Sequence, residues 1–515
     1  METLGVILSG KYPDLEITQQ YGLIPPSFLP LSGKRLFISQ VAFLRKFCTK
    51  VFLTIPLSYE LTSLDKENLE ATKVTIVRIS PDISINEALI EVLKLVQGQS
   101  NAISVLYGDT LIDEKIPINS VIIYKKPEAY SWGRNKGISD YEQSQDQYVE
   151  MMMAGLFFLS DSRLLESAIH KSDGSILNTL DVYSSNTPLV YVPVHTWNDF
   201  GHLGTLQESR LFFSESRYFN SVKISEIGVR KQSTDIQKLR AEIAWYENLP
   251  SVFRKYVPNL IAHTDNNYTI EYIPSPTLHE LLIYGNLSSS QWMRVFDRLC
   301  SFFLDAKEFF DPSNQIPLVD LLKEKTEARC KLFLSSNPLL QDFDCLELTK
   351  IFSQQNIDFL LNKIKLIDSK FLGVLHGDMC ATNIFWDGSS DLLMTIDPRG
   401  DSTRKSNGVY GDIRYDIAKL YQSFVLGYDF VLSGTSGSAT TEESSKMASF
   451  AKYSKIDFSG IFESKLFVPL ELNQKEIAAI ATLLMLGLLP LHADRIDRQN
   501  EFVHIIVDML DWLGS

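Results

Sequence analysis

A change of rhythm about two-fifths of the way along the chain limits its fold more than any other feature. Up to Phe213, short apolar runs at Gly5–Leu8, Lys50–Ile55, Val74–Ile79, Ala102–Leu106 and Ser120–Tyr124 alternate with amphipathic stretches such as Ile85–Val96. That alternation predicts a mostly parallel α/β sheet, because parallel neighbours need a long crossover and helices supply it. Beyond this point the rhythm breaks. Ser221–Lys231 reads as a strand, Asp235–Glu247 as a helix and Tyr268–Ile273 as another strand, after which helical spacing continues to Gly514. Two domains are expected, residues 1–213 and 214–515. The second divides into a small mixed lobe of about 214–275 and a helical lobe of about 276–515. Its Ser- and Gly-rich stretch Ser433–Lys446 is expected to be a mobile loop. With 515 residues and 45% hydrophobic content, the chain can fill more than one core.

The helical part carries the densest chemistry. In Val374-Leu375-His376-Gly377-Asp378-Met379-Cys380-Ala381-Thr382-Asn383-Ile384-Phe385-Trp386, an aspartate and an asparagine stand five apart between strand-like residues. Thr395-Ile396-Asp397-Pro398-Arg399-Gly400 follows. Singly, Asp378 reads as a turn cap, Asn383 as a loop residue and Asp397 as a strand end. Together, in order, they suit phosphoryl transfer: one carboxylate meets the acceptor hydroxyl, while an amide oxygen and a second carboxylate hold magnesium against ATP phosphates.

The set resembles the aminoglycoside phosphotransferase and choline kinase families, whose pattern is H-G-D-x-x-x-x-N followed by an I-D strand end. The resemblance implies an α+β protein-kinase-like C-terminal domain using ATP and Mg2+, with Asp378 as base, Asn383 and Asp397 as metal ligands, and His376 bracing the loop. Lys231, ending a strand, and Glu242, on the next helix, are the candidates for the phosphate-positioning ion pair, with Lys223 and Glu247 as alternatives. Glu271-Tyr272-Ile273-Pro274 matches a hinge whose backbone, at Glu271 and Ile273, can pair with adenine. Gly411–Leu420 resembles the helix that follows the metal aspartate, with Tyr415 and Ile417 as packing positions. His-Gly-Asp in place of His-Arg-Asp, and Asp397-Pro398-Arg399 in place of Asp-Phe-Gly, favour a small-molecule acceptor over a protein.

In the first domain, Val105-Leu106-Tyr107-Gly108-Asp109-Thr110 is an apolar strand ending in Gly-Asp, and Trp197-Asn198-Asp199-Phe200-Gly201 precedes a helix-like Gly204–Arg210. These resemble the sugar-phosphate and choline-phosphate nucleotidyltransferases. The resemblance implies an α/β fold of the GT-A, Rossmann-like type, with Asp109 and Asp199 sharing Mg2+ on a nucleotide, CTP or another NTP. Ile24-Pro25-Pro26-Ser27-Phe28-Leu29-Pro30-Leu31-Ser32-Gly33-Lys34 departs from the family's P-K-x-x-L-P-V-x-G-K, with Pro26 in place of the first lysine. Leu8-Ser9-Gly10-Lys11-Tyr12-Pro13 likewise replaces the glycine-rich turn ending in arginine. Lys11 and Lys34 are the candidate substitutes.

The formal charge of −14 argues against a broad grip on nucleic acid or anionic membrane. Cys48, Cys300, Cys330, Cys345 and Cys380 are scattered without a C-x-x-C pair, as expected in a reducing compartment without zinc. Met1–Leu8 lacks a basic leader and reads as a strand, so a cytoplasmic location is expected. Ile477–Leu491, interrupted by Gly487 and Pro490, falls short of the ~20 residues of a membrane span and is expected to be a buried helix. The combined resemblance implies a kinase for a small alcohol-bearing metabolite (a sugar, a polyol or a choline-like compound) fused to a domain that activates a phosphorylated compound, in bacterial capsule, surface-polysaccharide or phospholipid assembly. A kinase with a non-catalytic N-terminal binding module, and a nucleotide-binding regulatory pseudo-enzyme, stand as alternatives.

Overall fold

The computed structural model describes residues 3–96, 101–114, 116–125, 151–172, 174–214, 221–225, 228–309, 317–336, 351–365, 369–399, 408–434 and 456–515. Residues 435–446 of the expected mobile loop, together with Cys345 and Gly400, lie outside them. The chain separates into two compact units, Met1–Ser214 with Tyr284–Asn286, and Glu215–Ile283 with Leu287–Ser515.

In the first unit, seven strands form one sheet: β1 (Thr3–Leu8), β2 (Lys50–Pro56), β3 (Thr75–Ile79), β4 (Ala102–Tyr107), β5 (Ser120–Lys125), β6 (Met151–Leu159) and β7 (Val190–Val194). Their order is β7-β5-β6-β4-β1-β2-β3. β6 runs antiparallel to β4 and β5; every other pairing is parallel. The central strands carry unbroken apolar runs because helices cover both faces, and Val6, Phe52, Val105 and Phe157 meet in one core. Helix α1 (Ile85–Lys94) starts at a capping box in which Ser84 and Glu87 each accept from the other's backbone N–H, while Leu89 and Val92 turn inward. Helix α2 spans Leu203–Ser214.

The second unit opens with a four-stranded antiparallel sheet built of β8 (Ser221–Ser225), β9 (Gly228–Gln232), β10 (Leu260–Thr264) and β11 (Asn267–Ile270), in the order β8-β9-β11-β10. The single strand expected over Ser221–Lys231 is thus a hairpin of two. Between β9 and β10 lies helix α3 (Ile236–Asn248), capped by Asp235. The remainder is helical around α4 (Ser289–Lys307), α5 (Arg414–Phe424), α6 (Gln474–Leu486) and α7 (Ile496–Gly514). Helix α6 is buried over nearly its whole length and ends at Gly487, earlier than Leu491. The expected helix over Gly411–Leu420 also begins later. Tyr410–Asp412 is instead strand β15, paired with β12 (Leu372–Val374), and α5 starts at Arg414, whose buried guanidinium is held by Asp412 and Glu476. Gly373 lets β12 lie against the end of α4, since a Cβ there would come within 2.3 Å of the Ala306 carbonyl. The hairpin β13 (Ile384–Asp387) and β14 (Leu392–Thr395) completes the arrangement.

Candidate active sites

The second unit brings its predicted residues together from four separate segments. Lys231 is buried on β9, and its Nζ lies 2.8 Å from Glu242 Oε2 on α3 and 2.9 Å from Asp397 Oδ1. The Tyr268 hydroxyl also donates to Glu242, at 3.0 Å. Burial alone would lower the Lys231 pKa, but Asp397 and Glu242 outweigh it and raise the value. The alternatives fall elsewhere: Lys223 is exposed, and Glu247 pairs with His263 on the surface.

Hairpin register places the two expected metal ligands side by side. Ile384 pairs with Thr395, and the Ile396 N–H donates to the Asn383 carbonyl at 3.0 Å, so Asn383 and Asp397 flank the open end of β13–β14. The Asn383 amide nitrogen donates to the Asp378 carbonyl at 2.9 Å, so its side-chain oxygen, to which the Thr382 hydroxyl donates at 3.5 Å, is the atom that could serve a cation. Asp397 has φ 58, a left-handed conformation that aspartate tolerates better than most residues. An amide oxygen beside a carboxylate is a hard oxygen donor set that suits Mg2+.

Asp378 is held by two cations. Arg399 NH2 lies 2.9 Å from its Oδ2 and Lys419 Nζ 3.1 Å from its Oδ1. Burial would raise the carboxyl pKa, yet Lys419 and Arg399 bring it down to about 2. His376 is fully buried. Its Nε2 donates to the Ile396 carbonyl at 3.0 Å and its Nδ1 accepts the Asp378 N–H at 3.3 Å, so both nitrogens serve the neutral ring. Burial accordingly lowers its pKa to about 4. From α5, Asp416 accepts the N–H groups of His376 at 2.7 Å and Gly377 at 2.9 Å, which fixes the loop's backbone. Trp245 on α3 donates its indole N–H to the Leu375 carbonyl at 2.8 Å.

Asp416, Lys419, Arg399 and Trp245 were missed as site residues in the sequence. Asp416 and Lys419 lie in the segment read as a packing helix, yet two charges three apart on one face of a helix otherwise buried were the signal. Glu271 and Ile273, with Tyr272, Pro258, Phe385 and Met394, line a cavity of about 150 Å³. The Glu271 N–H, expected to be open to a base, is instead bonded to the Asn259 carbonyl at 3.0 Å.

In the first unit, Asp109 and Asp199 converge at the carboxyl end of the sheet, where open α/β folds place ligands. Thr110 pairs with Asp199 in a two-residue ladder, and the Phe200 N–H donates to the Asp109 carbonyl at 2.7 Å. Gly201 is wedged between the carboxylates: a Cβ there would lie 2.7 Å from Asp109 Oδ2 and 3.1 Å from Asp199 Oδ1. Burial, reinforced by Asp199, raises the Asp109 pKa to about 6, a penalty that a cation would relieve. Asp199 is itself held by the Gly201 N–H, Thr205 and His202. Among the described residues, no cluster of three or more acidic, His or Cys side chains is arranged to hold a metal, so phosphate oxygens would have to complete such a shell.

A cavity of about 450 Å³ opens here, lined by Gly10, Lys11, Tyr12, Pro26, Asp109 and His202 among others. An adjoining one of about 210 Å³ is lined by Met152, Met153, Trp197 and Asp199. Lys11 therefore reaches the site. Lys34 does not: it is exposed on the Pro30–Arg35 hairpin and absent from both linings, because the next residue, Arg35, takes the buried position and pairs with Asp65. Gly108 allows its loop to close on β1, since a Cβ would lie 2.8 Å from the Leu8 carbonyl.

No protein-family model matches the chain, and no curated protein does. Among solved structures, the N-terminal two-fifths is similar to a nucleoside-diphosphate-sugar pyrophosphorylase from Vibrio cholerae RC9, with 13% identity over 40% of this chain and 99% of that one at a TM-score of 0.33. HddC from Yersinia pseudotuberculosis, complexed with GMP-PN, shows 14% identity over 41% and 100% at 0.29. The inositol-1-phosphate CTP transferase from T. maritima shows 10% over 42% and 98% at 0.29.

Proposed function

We propose that the second unit is an ATP- and Mg2+-dependent phosphotransferase for a hydroxyl group of a small molecule. The observation that carries this reading is the convergence of Lys231 on Glu242 and Asp397, at 2.8 and 2.9 Å, across 11 and 166 residues of sequence. Lys231, oriented by Glu242, offers its ammonium to the ATP phosphates, and the cavity at Ile273, Phe385 and Met394 takes the adenine. Asn383 and Asp397 would hold the magnesium, which supplies charge neutralisation on the phosphates. Asp378 stays ionised at neutral pH and orients the acceptor hydroxyl. With so low a pKa it takes the proton late, as suits a loose transition state. ATP turnover with a panel of alcohols should require Mg2+ and collapse in Asp378→Ala and Asp397→Ala. Turnover that persists in both variants would exclude the site.

A second reading concerns the first unit, because Asp109 and Asp199 meet across Gly201 beside a cavity that Lys11 lines. It transfers a nucleoside monophosphate from CTP or another NTP to a phosphorylated compound and releases pyrophosphate. Pyrophosphate release abolished by Asp109→Asn supports this. Nucleotide binding without release for any NTP makes the unit a binding module instead.

A further inference from the structure

Asp378 bears one negative charge and is contacted by two positive ones. Among the described residues, Asp378 is the single acidic partner of both Arg399 and Lys419. A third cation stands close by: Lys325 Nζ lies 5.3 Å from the ring centre of Tyr415, a tyrosine within electrostatic reach of both Arg399 and Lys419. The other carboxylates near the loop are committed elsewhere. Asp416 is bound to the backbone of His376 and Gly377, and Asp429 to His279 at 2.6 Å. The ATP phosphates already have Lys231 and the Asn383–Asp397 pair. Arg399 retains a side chain 46% exposed, while Lys419 is 13% exposed. A guanidinium that meets the base through NH2 and keeps nearly half of its side chain exposed is placed to bind a planar or tetrahedral anion beside that base.

We infer that the phosphate acceptor is an anionic alcohol, bearing a carboxylate or a phosphate monoester that Arg399 receives beside Asp378, with Lys419 and Lys325 adding positive potential. This rests on the phosphotransferase reading of the site. In the reaction, the acceptor oxygen forms its bond to the γ-phosphorus of ATP as the bond from that phosphorus to the β,γ-bridging oxygen breaks. ADP leaves, and the hydroxyl proton passes to Asp378 and then to water.

The test uses the full chain with ATP and Mg2+ and matched acceptors: glucose, glucuronate and glucose 6-phosphate, and likewise glycerol, glycerate and glycerol 3-phosphate, with choline as the cationic control. Anionic members should be phosphorylated with kcat/KM about 10- to 100-fold above their neutral partners, and the two anionic arms show which group is taken. In Arg399→Gln that ratio should fall to about 1, and Arg399→Lys should restore part of it. If Arg399 merely steadied Asp378, neutral and anionic acceptors would lose equally and the ratio would not move, which overturns the inference. Preference for choline or for the neutral members overturns it too. Turnover with no acceptor, in a chain that still binds Mg·ATP, sinks the phosphotransferase reading itself and this inference with it.

Discussion

Replacing Lys231 by Met probes the centre of the second unit most directly. The change keeps much of the side-chain volume and removes the ammonium that lies 2.8 Å from Glu242 and 2.9 Å from Asp397. At 2.8 Å and an effective dielectric constant of ~20, the gross attraction of one such pair is roughly 6 kcal/mol. Desolvation offsets part of that, and breaking a buried pair costs about 3–5 kcal/mol, because the abandoned charge stays buried. The loss belongs mainly to Glu242, whose side chain is 2% exposed; Asp397, at 39%, is relieved by water. Lys231→Met should therefore lower the stability of the second unit by about 3 kcal/mol or more, whereas Lys231→Met combined with Glu242→Gln should cost only about 1–2 kcal/mol, since the one charge then left without its partner, on Asp397, is reached by water. Guanidinium unfolding of the full chain, with the second unit's transition assigned by hydrogen exchange over α3, measures both. Additive losses, with a coupling below about 0.5 kcal/mol, would refute the reasoning. ATP turnover should fall about 100- to 1000-fold in the single variant, by analogy with the removal of one positioned donor to a charged transition state.

Three further outcomes follow from the same geometry. Asp416, whose pKa burial raises to about 7 against an ordinary 3.8, holds its proton more tightly in the folded chain, so it makes stability fall as pH rises from about 4 to 7. Asp416→Asn should flatten that slope in pH-dependent unfolding while slowing turnover, because the amide nitrogen cannot accept one of the two loop N–H groups. Asp378 acts in the opposite sense: its stabilisation is full above 3.8 and is lost as pH falls through about 2, so Asp378→Asn should weaken the acid sensitivity of the second unit. Gly373→Ala should lower stability by about 1–3 kcal/mol, seen as a reduced Tm, because the added methyl carbon must displace the Ala306 carbonyl.

Much of the site was legible because its motifs are local. His376, Asp378 and Asn383 sit on one short loop, and Asp397 follows just past the next hairpin strand, so a resemblance to a short family pattern could point to them. Lys231 and Glu242 were separable from Lys223 and Glu247 only by the fold. Strand register turns Lys231 inward and leaves Lys223 on the exposed side of the hairpin. Lys34 and Lys11 were equal as sequence candidates. The hairpin at Pro30–Arg35 then sends Lys34 outward while the turn after β1 delivers Lys11 to the cavity.

The sequence by itself determined the change of rhythm between two parts and the order of the candidate motifs, because hydrophobic period and motif spacing are properties of neighbouring residues. Tertiary structure decided which charges meet. Lys419, Arg399 and Asp416 act on a loop that is 21 to 41 residues distant, and their influence depends on distances near 3 Å and on burial. Electrostatic interaction inside a protein falls with separation in space and grows as water is excluded, and neither quantity is written along the chain.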